Sequence, residues 1–217
     1  MIVDSMSDIE IKASLEKELY SHWNNVVEFK KNFRKLCLKR SIFPYQHIYK
    51  FKSKSGNLFY VNFCAEKRSM HDKPIYSISA IYQKTEGYYE AALTPTNSMV
   101  IYPPHFFNRY RERILKSNTS ILETIENHIK RNWGNEIAVV NEEYKSVLYA
   151  FEKEDKNENI DIISASTDGY SFGTKKNNII IIKTIISEEM LHEDQKEIFK
   201  ELKISLEKNI LGYTSKI

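Results

Sequence analysis

The chain has 217 residues, of which 41% are hydrophobic and 28% are charged, which is the balance of an ordinary globular domain. This composition excludes a long disordered chain, and six Gly with five Pro exclude a collagen-like or Gly/Pro-rich chain. The formal net charge of +3 does not by itself indicate a nucleic-acid-binding protein, although it leaves room for a local basic surface.

Cysteine usage and apolar runs indicate the compartment. Two cysteines, Cys37 and Cys64, are too few for a disulfide scaffold, and each lies in an apolar run, so we expect buried free thiols. Charges interrupt Met1–Leu15, so we expect no signal peptide there. The longest pure apolar run, Ile179–Ile182, is far below the roughly 18 residues of a membrane span. We therefore expect a soluble, cytoplasmic protein that does not contact a membrane.

Apolar residues three or four apart predict a helix over residues 7–40, with a break near Ser21–Asn25. Ser7 and Glu10 predict a capping box at its start. The predicted apolar face comprises Ile11, Leu15, Leu19, Trp23, Val26, Phe29, Phe33 and Leu36. The C-terminal half carries a basic surface comprising Lys30, Lys31, Arg34, Lys35, Lys39 and Arg40. Positive charge near a helix C-terminus suits the macrodipole, so this surface has a structural interpretation as well as a nucleic-acid-binding one.

The next segment, residues 46–102, has the pattern of short strands joined by turns. The predicted strands are His47–Ser53, Leu58–Ala65, Ile75–Gln83, Tyr88–Leu93 and Met99–Tyr102. Gly56 permits a hairpin turn between the first two, and Gly87 ends the turn of a second hairpin. Short turns join antiparallel neighbours, so the segment predicts an antiparallel meander.

Helices and strands alternate again after Pro103. A helix is predicted from about Pro104 to Lys116, and a second one, capped by Thr119, to about Asn132 with Leu122, Ile125 and Ile129 as its apolar stripe. The predicted strands are Ile137–Val140, Tyr144–Glu152, Ile160–Ser166 and Asn178–Thr184, with Lys153–Asn159 as a loop. A final helix is predicted from Ser187 to about Lys208, with these residues facing inward: Leu191, Gln195, Ile198, Phe199, Leu202 and Leu206.

The order helix, strands, two helices, strands, helix predicts the α+β class. We expect antiparallel sheet with an N-terminal helix, a central helix pair and a C-terminal helix, in a single domain over residues 1–217. A softer division near Tyr102 is the alternative, with helix plus meander before it and helices, sheet and the C-terminal helix after it.

The most informative segment is PPHFFNRYRER, residues 103–113. His105, Arg109 and Arg113 are spaced at i, i+4 and i+8, which places them along one flank of a helix. Histidine titrates near neutrality and transfers protons, whereas arginine binds phosphate oxygens and stabilises developing negative charge. This pairing is what the cleavage of a phosphodiester requires.

A second segment adds side chains of similar chemistry. Asp168 and Gly169 predict a turn between two strands, and Lys183 and Thr184 end an apolar strand. A threonine hydroxyl can hydrogen-bond a phosphate and a lysine can neutralise it. We therefore predict a catalytic set of His105, Arg109, Arg113 and Thr184. The predicted substrate-binding set is Lys183, Asp168 and Tyr110.

Each of these residues also has a structural interpretation. His105 is equally a partner of the helix cap or a surface group, and the arginines form a solvated face with an Arg109–Glu112 pair. Asp168 is typical of a turn, and Lys183 of a protected sheet edge. Walker, dinucleotide-binding, HExxH and GxSxG motifs are absent, and the other histidines are scattered. We therefore expect no cofactor and no metal.

The run His105–Ile114 resembles the H-x-x-x-R-x-x-E-R helix start of small toxin-like domains in the barnase–EndoU–colicin–RelE superfamily of metal-independent ribonucleases. The resemblance covers residues 99–190 and extends to uncharacterised proteins of phages and mobile elements of gut bacteria. It implies His105 as general acid or base, Arg109 and Arg113 as phosphate ligands, and Lys183 with Thr184 as the completion of the site.

Two functions follow as expectations. The first is a binding or regulatory protein of a phage or mobile element, without catalysis, whose partner is RNA or a protein. The alternative is an RNA-binding, metal-independent ribonuclease that uses His105 to move a proton during attack of the 2′-OH on the adjacent phosphate. The sequence leaves the oligomeric state open.

Overall fold

The computed structural model describes residues 2–94, 96–132, 136–142, 144 and 159–215, with the side chains of residues 194 and 206–215 excepted. The chain divides into two compact units, Met1–Met99 and Val100–Ile217. Each unit combines helices with antiparallel strands, so the protein belongs to the α+β class.

The first unit begins with two helices, α1 (Asp8–Ser21) and α2 (Trp23–Leu38). The predicted capping box is confirmed: the Ser7 backbone N–H donates to Glu10 Oε2 at 2.8 Å, and the Glu10 N–H donates to Ser7 Oγ. The predicted break is also confirmed. It lies at His22, whose φ of −111° and ψ of 15° depart from helical values.

The break changes which side chains are buried. The buried side chains of α2 are Val26, Phe33 and Cys37, spaced by seven and four residues. The prediction that Trp23 belongs to the buried face is wrong, because Trp23 is 42% exposed. A face that continues from α1 cannot be extrapolated across His22, since the non-helical residue resets the rotation of the helix.

Four antiparallel strands follow: β1 (Tyr45–Lys52), β2 (Leu58–Ala65), β3 (Ile75–Lys84) and β4 (Gly87–Leu93). A 3-10 turn, Arg68–His71, precedes β3. Each strand pairs with the next in the chain, so the predicted meander is confirmed. The α2 helix packs on it through Phe33, whose ring lies 5.5 Å from that of Phe63.

Both cysteines are buried free thiols, as expected. Burial raises the pKa of Cys64 to about 12 and also raises the pKa of Cys37. Neither thiol is therefore a thiolate at neutral pH, and both act as small apolar side chains of the core.

The second unit contains five strands with helices between them. Its elements are β5 (Met99–Tyr102, which begins at the last residue of the first unit), α3 (Pro104–Tyr110), a π-helical segment (Arg111–Leu115), α4 (Ile121–Arg131), β6 (Glu136–Val139), β7 (Ile160–Ser166), β8 (Gly169–Lys176), β9 (Ile179–Ile186), a 3-10 turn (Glu188–Met190) and α5 (Glu193–Ser215). The strand order is β5-β9-β8-β7-β6, and the neighbours from β6 to β9 are antiparallel.

The start of α4 differs from the prediction. Ser120, not Thr119, is the N-cap, and it forms a capping box with Glu123. The cap therefore lies one residue later, where a glutamate stands at the third helical position. Leu122 was expected in the apolar stripe but is 39% exposed, whereas Ile125 and Ile129 are buried as predicted.

Strand β8 was not predicted. Its residues include Ser171, Gly173 and Thr174, which interrupt the apolar pattern that identifies strands. Gly173 is nevertheless required, because a Cβ there would lie 2.0 Å from the Ile181 carbonyl oxygen on β9. The close approach of two strands thus selects the residue that weakens the sequence pattern.

The C-terminal helix begins later than predicted. Ser187 opens a 3-10 turn, Leu191 is extended and buried, and α5 begins at Glu193. Phe199 and Leu202 are buried as predicted, against Tyr170 and Phe172 of β8. Tyr144, the first residue of the predicted strand Tyr144–Glu152, is helical, and residues 145–152 lie outside the described residues together with most of the predicted loop. The side chain of Leu206 also lies outside them.

Candidate functional site

Helix α3 carries the predicted catalytic row, and the structure changes its geometry. His105, the second residue of α3, is exposed, and Arg109, one turn later, is half-buried. After Tyr110 the backbone continues as a π-helix, whose hydrogen bonds span five residues instead of four. The i+4 spacing therefore no longer places Arg113 above Arg109. Along the axis, Arg113 lies about 12 Å from His105.

Arg113 binds strand β9. Its Nη1 donates to Thr184 Oγ1 at 3.1 Å and to the backbone carbonyl oxygen of Ile185 at 2.9 Å. Thr184 is completely buried. The guanidinium thus joins the π-helical segment to the sheet, and the threonine hydroxyl points at an arginine of its own chain. The strand continues for two residues beyond Thr184, so this residue does not end it as predicted.

The second cluster is centred on Asp168, whose side chain is buried. The Tyr110 hydroxyl and Asn132 Nδ2 donate to Asp168 Oδ2, the latter at 2.6 Å. Arg131 donates to Oδ1 from Nε at 2.7 Å and from Nη2 at 2.5 Å, which is the bidentate geometry of a strong pair. A buried carboxylate with this many donors is compensated for its loss of water.

This cluster links three elements, since Tyr110 comes from α3, Arg131 and Asn132 from the end of α4, and Asp168 from the β7–β8 turn. Burial and then the hydrogen bond to Asp168 raise the pKa of Tyr110, so its hydroxyl stays protonated and donating. Gly169 completes the turn with a φ of +140°, and a Cβ there would lie 2.2 Å from the Ile186 carbonyl oxygen.

Lys183 lies in a β-bulge. Phe172 pairs with Thr184 and the next residue, Gly173, pairs with Ile182, so Lys183 is the extra residue of β9. It is half-buried. A bulge redirects side chains away from strict alternation, which explains why two consecutive residues, Lys183 and Thr184, differ from the apolar residues around them.

Of the seven predicted site residues, the structure brings four together as two pairs, Arg113 with Thr184 and Tyr110 with Asp168. The sequence interpretation missed Arg131 and Asn132, which hold Asp168. Their signal was weak, because an arginine and an asparagine at the end of a helix are typical of ordinary caps. Only the position of Asp168 in space gives them a partner.

The basic surface predicted on the first helix is present on α2. Its six cations, Lys30, Lys31, Arg34, Lys35, Lys39 and Arg40, are all exposed. Residues 23–40 contain one acid, Glu28, so they carry a net charge of +5, which exceeds the +3 of the whole chain. Two of the cations form exposed ion pairs, Arg34 with Asp72 at 2.5 Å and Lys31 with Glu28 at 3.6 Å.

No protein-family model, curated protein or solved structure matches this chain. The resemblance to ribonuclease toxins therefore stays a prediction. Within the described part of the chain, no helix is both long and apolar enough to cross a bilayer, and no group of three His, Cys, Asp or Glu side chains is arranged to hold a metal ion.

Proposed function

We propose that this protein binds RNA through the basic surface of α2 and does not cut it, in the binding or regulatory role of a phage or mobile-element protein. One observation carries the proposal: six exposed cations and a single acid lie within 18 consecutive residues of a chain that is otherwise slightly acidic. Phosphate backbones attract such a surface, and the release of counterions drives the binding.

The geometry of the second unit supports a role without catalysis. Arg113 and Thr184 hydrogen-bond each other, and Tyr110 and Asp168 do the same. A phosphate would have to replace these internal contacts to reach the four side chains. Their present partners give them a structural task, which is to join α3, α4 and β9.

The test compares two triple variants with the same change of net charge. Lys31, Lys35 and Lys39 are replaced by glutamine in one, and the exposed Lys54, Lys175 and Lys176 in the other. Affinity for a labelled oligoribonucleotide is measured against salt concentration. Each contact with a single strand contributes about 0.7 to the slope of log K against log salt, so the α2 variant should lower the slope by about 2. An equal loss in the control variant, or no binding by the wild type at low salt, would refute the proposal.

A second candidate, metal-independent ribonuclease activity, is favoured by one observation. His105 is exposed in the first turn of α3, and Arg109 follows it one turn later on the same helix. In that reaction, the histidine takes the proton of the 2′-OH as the hydroxyl attacks the phosphate, and a proton is returned to the leaving 5′ oxygen.

A further inference from the structure

The α2 surface carries exposed apolar side chains as well as cations. Trp23 and Val27 are each 42% exposed. Steps of four, three and four residues connect Trp23, Val27, Lys30 and Arg34, which places them along one flank of the helix. The buried side chains Val26, Phe33 and Cys37 occupy the adjoining flank. An aromatic ring and the cations therefore share one accessible side of α2.

A second ring lies at the same end. Tyr20, three residues before Trp23, is 84% exposed at the end of α1. Three chain steps keep the two Cα atoms within about 11 Å of each other. From Trp23, Lys30 lies about 10 Å along the helix axis and Arg34 about 16 Å. The rings thus lie at the beginning of the flank and the cations along the rest of it.

This combination matches the chemistry of an unpaired nucleotide strand. Each base of a single strand offers an open face that stacks on an aromatic ring, and each phosphate offers a charge to a cation. In a duplex the base faces are covered by their neighbours, so exposed rings gain little from it. We propose that the flank binds single-stranded RNA, with a base on Trp23 and the phosphates at Lys30, Lys31 and Arg34. This inference rests on the proposed function and adds the strand class.

The ion pair of Arg34 with Asp72 does not oppose this proposal. Both side chains are more than half exposed, and exposed pairs contribute little to stability. A phosphate can therefore take the place of Asp72 on the guanidinium. The charge of the flank argues for a polyanion as its occupant, because an apolar protein surface would leave the cations without compensation.

The experiment compares an oligouridine of about 16 nucleotides with an RNA hairpin. The variants are Trp23→Leu, which keeps an apolar side chain but removes the ring, and Val27→Ala as the control on the same flank. We expect Trp23→Leu to lower affinity for the oligouridine about tenfold and to leave hairpin affinity unchanged, since stacking on one ring is of this size. Val27→Ala should change neither. In a Trp133→Phe background, Trp23 is the sole tryptophan, and oligouridine should quench its fluorescence.

The outcomes separate this inference from the proposed function. If the wild type binds both RNAs and Trp23→Leu binds them equally well, the single-strand inference is wrong while RNA binding stands. If Trp23→Leu and Val27→Ala weaken both RNAs alike, the flank is apolar support and the inference is again wrong. Binding to neither RNA overturns both proposals. A dimer that forms without RNA and dissociates in Trp23→Leu would assign the flank to a second copy of the chain.

Discussion

Arg113 donates hydrogen bonds to Thr184 Oγ1 and to the neighbouring carbonyl oxygen of Ile185, 71 and 72 residues later in the chain. The two side chains that the sequence analysis assigned to phosphate chemistry are thus bound to each other. Since Thr184 is fully buried, this contact joins the π-helical segment to the sheet.

This contact predicts a measurable coupling. Thr184→Val should lower the free energy of unfolding by about 1 kcal/mol, and Arg113→Ala by about 1–3 kcal/mol, because the second change removes both charged donors. The double variant should cost less than the two losses added together. Urea unfolding of the four proteins measures the cycle, and strictly additive losses would show that the hydrogen bond does not form.

The Asp168 cluster predicts that its centre matters more than its rim. Asp168→Ala should lower the free energy of unfolding by about 3 kcal/mol, because it leaves buried donors of Tyr110 and Asn132 without their acceptor. Arg131→Ala should cost about 1 kcal/mol, since the Arg131 side chain is half exposed and water replaces the pair. Thermal unfolding measures both variants. Equal losses would contradict the buried position of Asp168.

Two glycines with positive φ provide a matched pair. Gly169→Ala should be strongly destabilising, because its new Cβ would lie 2.2 Å from the Ile186 carbonyl oxygen and the backbone must move. Gly56→Ala should cost about 1 kcal/mol, since its φ of +95° is strained for alanine but the nearest atom is 4.0 Å away. Melting temperatures measure the difference. Similar losses at the two positions would show that the strands do not approach so closely at Gly169.

The α4 capping box predicts a pH dependence. Hydrogen bonds from the backbone N–H and the hydroxyl of Ser120 lower the pKa of Glu123 below its model value of 4.5. The stabilisation is therefore fully present above pH 4.5 and is lost as the pH falls through the folded-state pKa. Glu123→Gln should be less stable than the wild type at neutral pH, and this difference should shrink in acid.

The matched control for this prediction is Ser120→Ala, which removes the hydroxyl donor. Replacing Glu123 by glutamine in that background should produce a smaller change with pH. Urea midpoints between neutral and acidic pH measure all four proteins. A difference between wild type and Glu123→Gln that stays constant over this range would show that the carboxylate charge does not act at the cap.

His105 separates binding from cleavage. The wild type and His105→Ala are incubated with labelled RNA in EDTA, and the proposed function predicts intact RNA with both proteins. Because His105 is exposed, its replacement should leave the melting temperature unchanged. Cleavage by the wild type and none by an equally stable His105→Ala variant would establish the ribonuclease alternative and overturn the proposal of binding without catalysis.

Local signals predicted a large part of both units. The Ser7–Glu10 capping box, the hairpin at Gly56 and the meander of β1 to β4 depend on residues close together in the chain, and all are confirmed. Even the misplaced cap of α4 differs by one residue, because Thr119 and Ser120 have nearly equal capping chemistry and the glutamate three residues after Ser120 decides between them.

The candidate site was less predictable, because its contacts join distant residues. The sequence pattern grouped His105, Arg109 and Arg113 by helical spacing, whereas the change to a π-helix after Tyr110 directs Arg113 to β9. Likewise, the helix break at His22 exposes Trp23, which continuous periodicity would bury. Periodicity describes one uninterrupted helix, and it carries no information across a change in backbone geometry.

The sequence by itself determined the elements, the α+β class and the charge of α2, because hydrogen bonds within turns and helices and the spacing of apolar residues are local properties. The tertiary structure decided what the polar side chains contact. Asp168 meets Tyr110 and Arg131 only when α3, α4 and the β7–β8 turn come together, and Gly173 is required only because Ile181 lies against it. Such contacts depend on the packing of elements far apart in the chain, which no local pattern specifies.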